Sequence, residues 1–194
     1  MKKLKLVLVT KKHEPEEILK ILAEFKIKRI AENRLEEAEK KFPLLPDLEK
    51  HYIGKLQSRK IKKIFDLFDV IQTVESFEQA EKINEFGKKK IMIQINISDL
   101  PQRSGVATSK ADKLISEIKN LENIDLIGVM GMASQDRSEA RKQFKILKSL
   151  QGNLEECSMG MSDDFQIAIE EGSTMLRLGR ILFEDNLPPE LKYE

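Results

Sequence analysis

Apolar residues along the chain follow two alternating rhythms. Short β-branched or aliphatic runs predict strands at Leu4 to Val9, Lys28 to Ala31, His51 to Ile53, Asp69 to Val74, Lys90 to Ile97, Ile124 to Met130 and Thr174 to Leu178, with a weaker run from Asn153 to Cys157. Between them the spacing turns helical. Ala111, Leu114, Ile115, Ile118 and Leu121 form one apolar face, and Ala140, Phe144, Leu147 and Leu150 another. Ile18, Leu19, Leu22 and Phe25 form a third after Pro15, a residue suited to a helix start. Ser162 is expected to cap a helix that Gly172 ends.

About eight strand–helix units result, the number of a (β/α)8 TIM-type barrel. Alternating strands and helices imply parallel pairing. A doubly wound open sheet is the alternative, and periodicity does not decide between them. No Gly/Ser- or Pro-rich linker divides the 194 residues, so 1–194 is expected to be a single α/β domain.

Parallel architectures place ligands at the carboxyl ends of strands. There the chain offers Lys11 and Lys12 after the first strand, and two turns of small residues, Ser158 to Ser162 and Gly179-Arg180. Such turns let backbone N–H groups approach a phosphate, although most are turns and nothing more.

Charge and composition narrow the classes. Lys and Arg number 34 against 33 Asp and Glu, so no global field draws the protein to nucleic acid or anionic lipid. The basic run Arg59-Lys60-Ile61-Lys62-Lys63 reads as the wet side of a helix whose other side holds Ile61, Ile64 and Leu67. The lone Cys157 cannot form an internal disulfide and reads as core. With no signal-like or bilayer-length apolar segment, a cytoplasmic location without membrane contact is expected. The methionines lack a histidine cluster that would support a metal site. His13 fits a pocket edge or, preferably, a surface loop.

Taken in order, the strand exits resemble one family. Val9-Thr10-Lys11, Ala31-Glu32-Asn33-Arg34, His51 to Ser58, Gln94-Ile95-Asn96 with Ser104-Gly105, and Gly128-Val129-Met130 lead to the two most specific segments, Ser158 to Asp164 and Gly172 to Gly179. Together they resemble the pyridoxal phosphate homeostasis proteins, which bind pyridoxal 5′-phosphate (PLP) on an alanine racemase N-terminal-type barrel.

The resemblance implies a Schiff base on Lys11. Ser158 would meet the phosphate, with backbone N–H groups of Gly179 and Arg180, and Arg177 would face the pyridine nitrogen. Asn33, His51, Asn96 and Met130 would line the ring pocket or hold nearby loops. The family usually has a helix before its first strand, so the barrel is expected to be shortened at the N-terminus. Ala31, Arg59, Leu100, Arg103, Ser134, Arg180 and Glu184 depart from the family's usual residues.

The function implied is intracellular PLP homeostasis, by a monomer that buffers the cofactor and passes it to apo-PLP enzymes, and not dedicated catalysis. The alternative is a weak racemase. Racemisation would need a second base, and the chain's two tyrosines are Tyr52, inside a strand run, and Tyr193. A sugar-phosphate barrel enzyme would share the phosphate turns but gives no reason for Arg177 to face a ring nitrogen.

Overall fold

The protein is described by a computed structural model covering residues 4–184 together with 186, 188, 191 and 193. The strands are β1 (Lys5–Val9), β2 (Arg29–Glu32), β3 (Glu49–Tyr52), β4 (Val70–Val74), β5 (Lys89–Asn96), β6 (Val106–Ala107), β7 (Ile124–Gly131), β8 (Glu156–Ser158) and β9 (Met175–Leu178). The helices are α1 (Pro15–Phe25), α2 (Leu35–Lys41), α3 (Ile61–Leu67), α4 (Phe77–Asn84), α5 (Thr108–Ile118), α6 (Arg137–Gln151), α7 (Phe165–Glu170) and α8 (Arg180–Phe183).

All ladders are parallel, and the sheet closes on itself. β1 pairs with both β2 and β9, while β4 meets β5 at the far side. Closure settles the barrel over the open sheet. The two-residue β6 adds only to the end of β5.

The strand period of two divides each side-chain set between two layers. In β1, Leu6 and Leu8 pack outward under the helices, while Val7 and Val9 point inward with Ala31, Val70, Met92, Met130 and Met175. The interior is therefore a small apolar plug, completed by polar side chains.

Local details correct several expectations. In α1 the buried residues are Ile18, Ile21 and Leu22, whereas Leu19 is exposed, because the apolar face is centred one position later. The cap of α7 is Asp164, whose carboxylate accepts the Met161 N–H at 2.6 Å, and Ser162 lies outside the helix. Gly172 does end that turn, in the left-handed region at φ +86°. The basic run pairs outward, Lys60 with Glu36, Lys62 with Asp66 and Lys63 with Glu39, over buried Ile61 and Ile64. No described helix is long and apolar enough to cross a membrane.

Candidate cofactor site at the barrel mouth

Lys11 stands two residues beyond β1, in the turn that leaves the carboxyl end of that strand, and is exposed. Thr10 takes the outer phase and is anchored there. Its hydroxyl lies 3.0 Å from Glu32 Oε2 and 3.1 Å from the Ala31 carbonyl. Glu32 is fully buried. Its second oxygen accepts the N–H of Asn33 at 2.9 Å and of Arg34 at 3.4 Å. Lys41 reaches in from α2, donating to the Thr10 carbonyl at 3.2 Å and lying 3.5 Å from Glu32. The residue before Lys11 is thus fixed by a buried ion pair and several hydrogen bonds.

β1 lies between β2 and β9, so Lys11 is flanked by the exits carrying Asn33 and Gly179. Asn33 Oδ1 is a buried acceptor without a partner among the described residues. An orphan of this kind points to a missing ligand or water. A Cβ on Gly179 would crowd the Val9 carbonyl at 3.2 Å. Beside this turn, the Ser162 hydroxyl accepts the Ile181 N–H at 3.2 Å, leaving its own proton to donate. The Arg180 guanidinium turns away to Asp163 and Glu184, so only its backbone faces the turn's task.

Arg177 is buried. It donates through Nη1 to the carbonyl and hydroxyl of Ser158, both at 2.8 Å, and through Nη2 to the Gly131 carbonyl at 3.0 Å. Burial lowers its pKa to about 10, partly offset by the Asp164 carboxylate, so it remains a cation near neutrality. A guanidinium carries more N–H groups than these three bonds use.

The Ser158 hydroxyl is wholly buried and occupied on both sides, accepting from Arg177 and donating to Gln72 Oε1 at 2.8 Å. His51 is fully buried inside the barrel, its pKa depressed by burial. Met130 belongs to the interior apolar plug. Asn96 holds a loop, donating to the carbonyls of Leu100 at 2.8 Å and Arg103 at 3.3 Å. Arg103 extends that brace to the Ala133 carbonyl at 3.1 Å. Burial drives the Cys157 thiol up to about 12, as suits a core residue.

Residue types and spacing did not give Glu32, Lys41 and Gln72 these places, whereas Ser162 lies in the Ser158 to Ser162 turn that the sequence offers as a phosphate candidate. Gln72 carried a readable signal, being a polar residue in the middle of an otherwise mostly apolar strand run.

The chain belongs to the alanine racemase, N-terminal domain family, which it matches over residues 1–186. More particularly, its relatives include proteins named pyridoxal phosphate homeostasis protein. That of Pasteurella multocida is 33% identical over 162 residues, covering 75% of this chain and 68% of the relative. That of Aquifex aeolicus is 29% identical over 186 residues, covering 87% and 82%. That of Escherichia coli K12 is 32% identical over 151 residues, spanning 70% of this chain and 64% of the relative's length. Among solved structures, PipY of Synechococcus elongatus with PLP bound superposes with TM-score 0.83 at 28% identity, covering 93% of this chain and 92% of that one. An alanine racemase of Clostridium difficile, TM-score 0.76 at 18% identity, covers all of this chain and 56% of its own, and shares the fold alone.

Proposed function

We propose that this protein binds PLP as a Schiff base on Lys11 and serves intracellular PLP homeostasis, holding the cofactor for apo-PLP enzymes without being a dedicated catalyst. The observation that carries the reading is the convergence of three neighbouring strand exits, β9, β1 and β2. They bring Gly179, Lys11 and Asn33 together, with Arg177 buried on β9 two residues before Gly179.

These residues fit the cofactor. The orphaned Asn33 Oδ1 calls for a donor. The missing side chain at Gly179, where a Cβ would sit 3.2 Å from the Val9 carbonyl, leaves the backbone N–H groups of that turn uncovered for an anionic group. Arg177 keeps N–H capacity for a ring nitrogen. We assign the phosphate to the Gly179 and Arg180 backbone N–H groups and the Ser162 hydroxyl. Ser158, whose hydroxyl is engaged on both sides, supports Arg177 from below. His51, Met130 and Asn96 act one layer out, as wall and loop brace.

PLP supplies an aldehyde for the amine and, in enzymes, an electron sink. An arginine opposite the ring nitrogen can only donate, so that nitrogen stays unprotonated and the sink is weak. Tyr52 supports the same conclusion. Its phenol is buried, donates to the Lys55 carbonyl at 3.2 Å and has its pKa raised to about 12, so it stays protonated and is not available as a racemase's second base. We read the chain as cytoplasmic and monomeric.

The test is mass spectrometry after PLP loading and borohydride reduction. One pyridoxyl adduct on Lys11, lost in Lys11→Ala, is expected. Labelling at Lys12 or scattered over surface lysines overturns the site.

A further inference from the structure

We propose that Gln72, backed by His51 and Glu49, is a positioning residue for Arg177. The inference rests on the reading above, in which Arg177 faces the cofactor's ring nitrogen. It gives that site a support running down the barrel axis.

The support is a file of hydrogen bonds with one direction. Arg177 Nη1 donates to Ser158 Oγ, Ser158 Oγ to Gln72 Oε1, and Gln72 Nε2 to His51 Nδ1, each at 2.8 Å. His51 Nε2 then meets Glu49 Oε1 at 2.8 Å. A guanidinium only donates and a carboxylate only accepts. The two ends therefore dictate every proton between them. His51 must carry its proton on Nε2, Ser158 must donate towards Gln72, and the Gln72 carbonyl must face Ser158. The remaining Gln72 N–H reaches Met175 Sδ at 3.4 Å.

Gln72 is the member that crosses the barrel. It stands on β4, whereas Ser158 is on β8, and the two strands are not neighbours in the sheet. Its carbonyl draws the Ser158 proton away from Arg177, so the Ser158 lone pairs face Nη1. In a water-poor interior such chained bonds strengthen one another. With the Gly131 and Ser158 carbonyls, this fixes the plane of the guanidinium and thereby the aim of its remaining N–H groups.

The far end of the file is wetter. Glu49 is partly exposed, is also met by Arg29 at 3.2 Å, and lines two cavities of about 760 and 350 Å³ at the barrel floor. These cavities mix lysines with aspartates and glutamates and lie at the amino ends of the strands, opposite the mouth.

The experiment compares the unmodified protein with Gln72→Met, Arg177→Lys and the double variant. It reads PLP affinity and the position of the visible band of bound cofactor, with apo-protein melting alongside. Gln72→Met is expected to weaken binding roughly three- to tenfold, the scale of one net hydrogen bond. It should move the band in the same direction as Arg177→Lys, and the double variant should bind no more weakly than Arg177→Lys alone. Unchanged affinity and band in a folded Gln72→Met, or an effect that multiplies with that of Arg177→Lys, overturns the inference while the cofactor reading stands. If Gln72→Met does not fold, His51→Gln must move the band in that direction, and an unmoved band overturns the inference. Absence of any borohydride-sensitive band in the unmodified protein overturns the cofactor reading and this inference with it.

Discussion

The imidazole of His13 stacks on the ring of Phe183, with centroids 3.5 Å apart and planes 7° from parallel. His13 lies two residues beyond Lys11, and Phe183 ends the helix that begins after Gly179, so the stack ties the lysine loop to the turn assigned to the phosphate. It spans Lys12, which is held in the left-handed region at φ 66° and carries the strain of a non-glycine residue there. His13 is thus more than the surface loop residue preferred from the sequence. A double-mutant cycle of His13→Ala and Phe183→Ala should give a coupling of about 0.5–1.5 kcal/mol in apo-protein unfolding. His13→Ala should also slow PLP attachment, while His13→Phe preserves the rate. Strictly additive losses would remove the stack from the account.

Lys41 is the cation that makes a fully buried Glu32 tolerable, lying 3.5 Å from its Oε2 and bonded to the Thr10 carbonyl. Lys41→Met strands the carboxylate, and breaking a buried pair from one side costs about 3 kcal/mol. Urea unfolding should register that loss. Lys41→Met/Glu32→Gln should recover part of it, because the neutral amide no longer needs a cation. A single variant with wild-type stability would show that Glu32 is sufficiently held by its N–H and hydroxyl donors.

Much of the barrel was legible because its signals are local. Short β-branched or aliphatic runs found all eight barrel strands, and Pro15 and Gly172 marked real helix boundaries. The candidate site was legible where it consists of strand exits. Lys11, Asn33 and Gly179 come together because closure sets β2 and β9 on either side of β1. The interior was not legible. Whether Ser158 meets a ligand or Arg177 depends on Gln72, 86 residues away in sequence, and no local pattern reports that contact. Ser162 was misplaced for a related reason. Its residue type suits a helix cap, but Asp164 takes that place and frees Ser162 to meet Ile181.

Gly54 follows β3 and packs against the backbone of Asn33, where a Cβ would overlap the Asn33 carbonyl and crowd the Tyr52 hydroxyl. Gly54→Ala must therefore displace backbone, which no rotamer change can avoid. A destabilisation of about 2–3 kcal/mol is expected. PLP affinity should fall as well, since the displaced segment carries Asn33. Melting and cofactor titration check the two effects together. Loss of stability with unaltered affinity would take Asn33 out of the binding site.

Acid should weaken this fold in two stages, both through the interior file. Burial lowers the pKa of His51 below its ordinary 6.5. Below about pH 6.5 the unfolded chain therefore takes up a proton that the folded chain refuses, and stability falls as pH falls. Glu49, hydrogen-bonded by His51, titrates at about 2 in place of 4.5. It adds a second loss in the same direction, present in full above pH 4.5 and removed as pH drops towards 2. Each proton contributes a slope of at most about 1.4 kcal/mol per pH unit. Denaturant titrations from pH 8 to pH 2 should show the decline beginning near pH 6.5 and the second loss below pH 4.5. His51→Gln should flatten that upper stage and, by removing the imidazole hydrogen bond that holds Glu49 low, shrink the lower one as well, whereas His13→Gln, at the only other histidine, should leave the upper stage in place. A decline of equal size in His51→Gln would mean that the buried imidazole is not its source.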